Sequence, residues 1–361
     1  MADLKPVERC SAEEGSPRVP IRALAAQANR PADDKRVGAG IEPGPARRDP
    51  IASMQKILIT GVAGPIGRLL ATRLAGSLDV CGVDVVPWRG ANIGVRVHRV
   101  DLRKRKFEDV VRTERPDAVV HMGFMRRFDS SERVRHDVNV RGTKQLLDHC
   151  VKYGVGQVMV VSSSAVYGAF AENPYGMDED FPLSASRTYP EIRDQVEVDT
   201  LAGAFIWQHP EIRTAVLRPV HALGPTARSM MSSYLRLPRV PTVMGFDPII
   251  QFIAEDDLVD ALVLTLRRRL QGVFNIVGCG QTPLHTAIEA VGATAWPIPG
   301  PIFESVGRRL FERGIWGYPP GAIDYLRYPV CVSGRRFAEA TGHVPKVSLR
   351  EMFGSMRRRA K

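Results

Sequence analysis

The sequence predicts an α/β protein: a doubly wound parallel sheet with a smaller C-terminal α+β region. Three observations carry this reading. From Lys56 onward, short runs of branched apolar residues alternate with amphipathic stretches, the rhythm of strand–helix–strand units. A glycine triplet, Gly61, Gly64 and Gly67, follows the first such run directly. Past about Pro219 the rhythm gives way to turn-rich sequence, with Gly224-Pro225, Pro238, Pro241, Gly245 and Pro248.

Taken in order, residues 1–53 are rich in Pro, Ala, Arg and Gly, with few large apolar side chains and no sustained period. They read as a disordered N-terminal extension. Met54 stands just before the first strand, so the extension is expected to lie outside the functional protein. KILIT (56–60) is that strand, and a helix is expected from 66 to about 76. Further strands are expected over 80–85, 96–100, 118–121, 157–162 and 214–218, with helices over 106–114 and 138–152. The first domain spans 54–224, and the smaller, substrate-binding region spans 225–361, with segments around 250–277 partly returning to the first. Over 301–311, Ile302, Phe303, Val306, Leu310 and Phe311 share one helical face, expected to pack into a core.

Composition narrows the function classes. The 361 residues are 44% hydrophobic and 25% charged, as in an ordinary globular protein. No apolar run reaches the ~18 residues of a membrane span, and Met1 is followed by acidic and polar residues rather than a secretory leader. The five cysteines are scattered without paired spacing, which argues against a metal site or a disulfide framework and for a cytoplasmic protein. The net charge of +11 comes from dispersed arginine clusters with no interleaved aromatics, which read as solvated faces with a positive field that attracts anionic ligands; a small-molecule substrate, and neither nucleic acid nor membrane, is the expected partner.

The glycine triplet carries the strongest chemistry. Gly61 permits a tight turn, Gly64 lets backbone approach a pyrophosphate, and Gly67 allows close helix–strand packing. Pro65 and Ile66 open the helix whose free amides face the anion. Asp84 ends the next strand, where a carboxylate accepts hydrogen bonds from ribose hydroxyls and repels a 2′-phosphate. NAD is therefore the expected cofactor, although Arg89 lies close enough in sequence to soften the preference. This is a Rossmann-type dinucleotide site.

The spacing G-x-x-G-x-x-G resembles the short-chain dehydrogenase/reductase superfamily, and later segments resemble its extended branch, the NAD-dependent epimerase/dehydratase proteins. Asp101-Leu102 looks like the pair that contacts adenine; VVHMG, with His121, Met122 and Gly123, is similar to the fourth-strand motif beside the cofactor. DVNVRGTKQLL matches the helix with a structural asparagine, here Asn139, and VSSSAVYG resembles the fifth-strand motif, with Ser162 beside the cofactor and Ser163 as the catalytic hydroxyl. AVLRPVHALGP, containing Pro219, looks like the strand and turn leading to the substrate. The resemblance covers about 56–277 and suggests a subgroup similar to UDP-glucose 4-epimerase. It implies a catalytic tyrosine, Tyr189, with Arg193 at the position of the family's lysine, and a homodimer.

Hydride removal from a secondary alcohol needs a base for the hydroxyl proton. Residues at i and i+4 share one helix face, so a cation at 193 would lie beside the phenol of Tyr189. Arg193 retains the charge but not the shape of a lysine. Pro190 fits only the first turn of a helix. The segment PIIQFIAEDD has Ile250 and Gln251 where epimerases carry an arginine for the nucleotide diphosphate; Arg236, Arg239 or Arg327 would have to replace it. Three functions follow: an epimerase, dehydratase or dehydrogenase acting on a hydroxyl-bearing substrate, an NAD(H)-binding regulator or scaffold without chemistry, or a dehydrogenase of a less polar alcohol.

Overall fold

The structure, a computed structural model, describes residues 54–89, 94–125, 131–313 and 318–357; the expected extension 1–53 lies outside them. Strands β1 (Lys56–Thr60), β2 (Asp79–Asp84), β3 (Arg96–Arg99), β4 (Ala118–His121), β5 (Gln157–Val161) and β6 (Arg213–Pro219) fall within two residues of their expected bounds. They are followed by β7 (His221–Leu223), β8 (Arg239–Val243), β9 (Ile249–Ala254), β10 (Gly272–Ile276), β11 (Gln281–Pro283) and β12 (Thr294–Ile298). The helices are α1 (Pro65–Leu74), α2 (Arg105–Glu114), α3 (Glu132–His136), α4 (Gly142–Lys152), α5 (Arg193–Gln208) and α6 (Met230–Leu235). After them come α7 (Glu255–Arg267), α8 (Leu284–Ala290), α9 (Gly300–Glu312), α10 (Arg335–Thr341) and α11 (Leu349–Met356).

The large sheet has seven strands in the order β10-β6-β5-β4-β1-β2-β3, every neighbouring pair parallel. Every residue of β4 and β5 is buried, because helices cover both faces and leave no polar side to alternate with. On one face Leu70, Ala71 and Leu74 of α1 join Leu258, Leu262 and Leu266 of α7 in a core. On the other, Phe107 of α2, Leu146 of α4 and Val198 and Phe205 of α5 form a second. The chain reverses its winding between β1 and β4, the point where an open α/β sheet forms its ligand crevice.

The helix expected over 138–152 starts earlier. It begins as α3 and passes through a π-helical turn, Asp137–Arg141, before α4. That extra residue per turn directs the Asn139 side chain inward.

The later segments form a separate core of Leu223, Tyr234, Phe252, Ile288 and Phe353, with sheets β11-β9-β7 and β12-β8. Of residues 250–277, β10 returns to the large sheet beside β6, whereas β9 stays with β7 and β11. The expected apolar face of α9 is only partly buried: Phe303 enters the core, but Ile302 and Val306 are 54% and 46% exposed.

A buried polar chain fastens the two regions. Arg218 on β6 holds Asp199 of α5 through Nη2 at 2.7 Å and donates to the Tyr167 hydroxyl at 2.8 Å. Tyr167 donates to Asn275 on β10 at 2.8 Å, and the Asn275 amide donates to Glu179. Arg336 of α10 closes the chain on Glu179 at 3.3 Å. Each buried charge thus has an opposite charge, as burial demands.

Candidate active site

The β1–α1 turn has the geometry its glycines require. Gly61 has φ +70°, and a Cβ there would lie 2.7 Å from the Met122 carbonyl oxygen and 2.8 Å from Gly123 Cα. A Cβ on Gly67 would fall 2.4 Å from the Gly61 oxygen, so α1 packs on the turn only because Gly67 has none. A Cβ on Gly64 would meet, among the described residues, the Gly61 oxygen at 3.1 Å and no other atom within 4 Å, which leaves its outer side open to an approaching group. Gly64 caps α1 without any side-chain acceptor, and Pro65 and Ile66 begin the helix. Asp84 closes β2 and accepts the backbone amides of Ala63 and Val86, both at 2.9 Å. Its carboxylate is thereby fixed at the cradle's edge.

Beside the cradle, His121 is a buried structural group. The Thr143 hydroxyl donates to the Asn139 carbonyl at 2.5 Å, so its oxygen accepts from His121 Nε2 at 2.8 Å. His121 Nδ1 then accepts from the Thr60 hydroxyl at 2.7 Å, which fixes the Nε2–H tautomer. Burial pulls its pKa down to about 3, so the ring stays neutral. Thr60 Oγ1 in turn accepts the amides of Met122 and Gly123 at 3.3 Å.

The Asn139 side chain is spent on the loop after β4, accepting from the Met125 amide at 2.7 Å and donating to its carbonyl at 3.1 Å. Asp101 is gripped by Arg103 at 2.6 Å, and Arg103 also holds Asp137 at 2.6 Å. The Arg103 hydrogen bond keeps the Asp101 carboxyl below its usual range. Leu102 is buried against Gly142 of α4. Pro219 ends β6, in register with Ile276. At the end of β5, Ser162 Oγ is buried with no hydrogen-bond partner among the described residues. An orphaned hydroxyl beside the crevice fits a site completed by a bound polar group.

The catalytic positions depart from expectation. Ser163 half-emerges after β5 and accepts the Ala165 amide at 3.2 Å, capping a 3-10 turn over Ser164–Tyr167. Tyr189 has φ −127° and ψ 81° and lies outside the helix; Pro190 starts a short 3-10 turn, and Arg193 is the first residue of α5. A residue before proline is driven to extended backbone, so the shared i, i+4 face does not form. Arg193 instead pairs with Glu132 at 3.4 Å, the two side chains 57% and 63% exposed. The Tyr189 ring is 2% exposed, with its hydroxyl 3.9 Å from Met230 Sδ. Burial, reinforced by Tyr325 and Glu191, holds its pKa well above the usual value. Gly321 presses on it so closely that a Cβ would lie 2.6 Å from Tyr189 Cα.

Sequence reasoning missed the groups that set this environment. Tyr325 stacks edge-on against Tyr189, ring centroids 5.8 Å apart, and donates to the Ala165 carbonyl at 2.5 Å. It thus links the serine turn to the tyrosine. Arg135 and Asp194 form a buried pair at 3.1 Å, and Arg135 is the cation whose charge acts on Tyr189. Tyr325 lies where no motif was legible; Arg135 sits in a helix whose start was not recognised.

On the substrate side, Gln251 holds backbone instead of anion: it donates to the Val332 carbonyl at 3.0 Å and accepts its amide at 2.8 Å. Arg327 is committed to Glu304 and Asp324 at 2.5 and 3.5 Å. Arg236 donates to the Gly224 carbonyl at 2.7 Å, and Arg239 is exposed at the start of β8. Away from this crevice, Cys81, His98 and Glu114 bring metal-type atoms within 4.8 Å of one another. Burial opposes the Glu114 charge, but Arg96, His98 and Lys56 outweigh it and hold its pKa down to about 2, while burial pushes the Cys81 thiol up to about 12. Those partners make it an ion-pair cluster.

Comparison with known proteins agrees with this architecture. An uncharacterized protein of Mycobacterium tuberculosis is 30% identical over 257 residues, covering 68% of each chain. UDP-glucose 4-epimerase 2 of Oryza sativa is 30% identical over 191 residues, 47% of this chain and 45% of that one. A solved UDP-glucose 4-epimerase from Stenotrophomonas maltophila, with NAD and formylated UDP-arabinopyranose, shares the fold at TM-score 0.66 and 18% identity, covering 84% and 96%. A dTDP-glucose 4,6-dehydratase from Bacillus anthracis in complex with NAD does so at TM-score 0.65 and 16% identity, covering 84% and 95%. The profile of the NAD dependent epimerase/dehydratase family matches residues 57–277, the span that contains the cradle, the buried histidine and the Ser163 and Tyr189 positions, and the chain belongs to that family of extended short-chain dehydrogenases.

Proposed function

We propose that this chain binds NAD(H) in the β1–α1 cradle and catalyses reversible hydride transfer on a hydroxyl-bearing small molecule. The observation that carries this is the cradle itself: Gly61 and Gly67 are held by backbone contacts that exclude any Cβ, with Asp84 fixed beside them. Gly61, Gly64 and Gly67 with Pro65 and Ile66 would hold the pyrophosphate, Asp84 the adenosine ribose, and Ser162 the nicotinamide end. Asp101, Leu102, Met122, Gly123, Asn139 and Pro219 shape the rest of the groove. When bound, NAD supplies a hydride acceptor, and NADH a donor.

Oxidation removes a hydride from the carbinol carbon and a proton from its oxygen, giving a carbonyl compound, NADH and a proton; reduction reverses both. Tyr189 Oη exchanges that proton and Ser163 Oγ donates a hydrogen bond to the substrate oxygen. The raised pKa keeps Tyr189 a neutral phenol, which holds the proton to be donated in the reducing direction but releases it less readily than a tyrosine of ordinary pKa. Working as a base, it would need a cation brought closer than Arg193 stands.

A second reading, an NAD(H)-binding regulator without turnover, draws support from the exposed Arg193–Glu132 pair. The test follows NADH oxidation with carbonyl compounds, including 4-ketosugar nucleotides and simple ketones, in the wild type and Tyr189→Phe. Proton donation by Tyr189 predicts a loss of about 100-fold or more in turnover, with NADH affinity retained. Unchanged turnover removes Tyr189 from the chemistry; dinucleotide binding with no turnover on any carbonyl selects the regulator.

A further inference from the structure

A chamber of about 490 Å³, including its mouth, lies between α6, α9 and the segment over residues 318–326. Its walls include Met230 and Met231 of α6, Phe303 and Gly307 of α9, and Ile323 and Leu326. No lysine, arginine or carboxylate is among the described residues that line it. Its polar edges are neutral or committed: burial lowers the His221 pKa to about 4, the Tyr234 hydroxyl donates to the Pro241 carbonyl, and Tyr325 to Ala165. Of the arginines in adjoining segments, Arg327 pairs through Nη1 and Nη2 with Asp324 and Glu304, its Nε having no hydrogen-bond partner among the described residues, and Arg236 donates to the Gly224 carbonyl.

The chamber adjoins the candidate chemistry. Met230, in its wall, receives the Tyr189 hydroxyl contact, and Tyr325 is shared with a smaller space bounded by Ser164 and Gln251. A diphosphate placed here would lose hydration with no cation among the described lining residues to replace it, a large penalty in an apolar wall. An uncharged apolar group would gain by burying its surface against methionine, phenylalanine and isoleucine side chains.

We propose that the substrate is an uncharged alcohol or ketone whose non-reacting part is apolar, a ring system or branched chain seated in this chamber, and not a nucleotide sugar. The proposal rests on the hydride-transfer reading above, which NADH titration tests separately. Gly307 offers a way to fill the chamber: among the described residues a Cβ there meets Ile323 Cδ1 at 3.9 Å and Phe303 Cδ1 at 4.0 Å, and it sits in a helix where larger residues are accepted.

The experiment titrates the full chain, saturated with NADH, with the neutral fluorophore Nile red, then competes it with 4-phenyl-2-butanone or with UDP. Wild type, Gly307→Phe and the milder Gly307→Leu are compared, and retained NADH affinity shows that a variant is folded. Expected are saturable Nile red binding, displacement by the ketone and not by UDP, and at least a tenfold weaker affinity in a folded Gly307 variant. Displacement by UDP, no saturable binding to the wild type, or affinity unchanged in the folded variants would overturn the assignment. Loss of NADH binding by the wild type would instead strike the cofactor reading.

Discussion

The two ends of the crevice are built by different means. At the cofactor end, position is set by backbone: Gly61 and Gly67 are where they are because carbonyl and Cα atoms leave no room for a Cβ. At the other end, position is set by side chains on buried polar supports, Arg135–Asp194 and Arg218–Asp199, and by the 318–326 segment lying over Tyr189. A backbone-built site is specified by a few glycines at fixed spacing. A side-chain-built site depends on residues brought from distant sequence, and one local change can redirect it. Here that change is Pro190, which takes Tyr189 out of the helix and leaves Arg193 facing solvent.

Halving a buried ion pair should damage the side-chain-built end most. Asp199→Ala leaves the Arg218 charge buried and unpaired, and should cost about 3–5 kcal/mol in urea unfolding. The double change Asp199→Leu with Arg218→Met should recover much of that loss, since replacing a buried pair by apolar side chains is far less harmful than halving it. A small loss from Asp199→Ala would mean that the chemistry end is not held by this network.

Next is a pH effect at the cofactor end. The folded pKa of His121 is about 3 against 6.5 for an unperturbed histidine. A depressed folded value means the contribution is whole above pH 6.5 and is lost as pH falls toward 3. Between those limits the protein should lose about 1.4 kcal/mol per pH unit from this group. His121→Gln should flatten that slope in unfolding measured from pH 5 to 8, while lowering stability at pH 8 through the unpaired Thr60 and Thr143 hydroxyls. An unaltered slope would place the acid sensitivity elsewhere.

The smallest effect sharpens the contrast. Arg193→Ala removes only an exposed pair, worth under about 1 kcal/mol, and should leave NADH affinity and turnover within twofold. A hundredfold loss of turnover would show that Arg193 swings inward during catalysis, as the sequence position alone suggests.

The large sheet was legible because burial on both faces writes strands such as β4 and β5 as unbroken apolar runs, and because each intervening helix has its own period. The cradle was legible for the same reason that it is rigid. At the other end, the residue types were found but their directions were not. Tyr189 and Arg193 occupy the expected positions, yet one proline changed which way they point. The role of Gln251 as a backbone clamp on Val332 needs a partner 81 residues away, and Tyr325 meets Ala165 across 160 residues. Pairings of that range leave no local period to read. The face of α9 misled for a related reason: amphipathic spacing marks which residues share a side, not whether anything covers it.

The β1–α1 turn keeps the geometry of a dinucleotide cradle, whereas Tyr189 and Arg193 do not share a helix face. Titration of the purified full chain with NADH and NADPH, followed by nicotinamide fluorescence, tests the dinucleotide reading most directly. Expected are saturable one-to-one NADH binding, NADPH at least about tenfold weaker because Asp84 repels the 2′-phosphate, and loss of both in Gly67→Ala. No saturable binding of either dinucleotide, or equal affinity for the two, would contradict it.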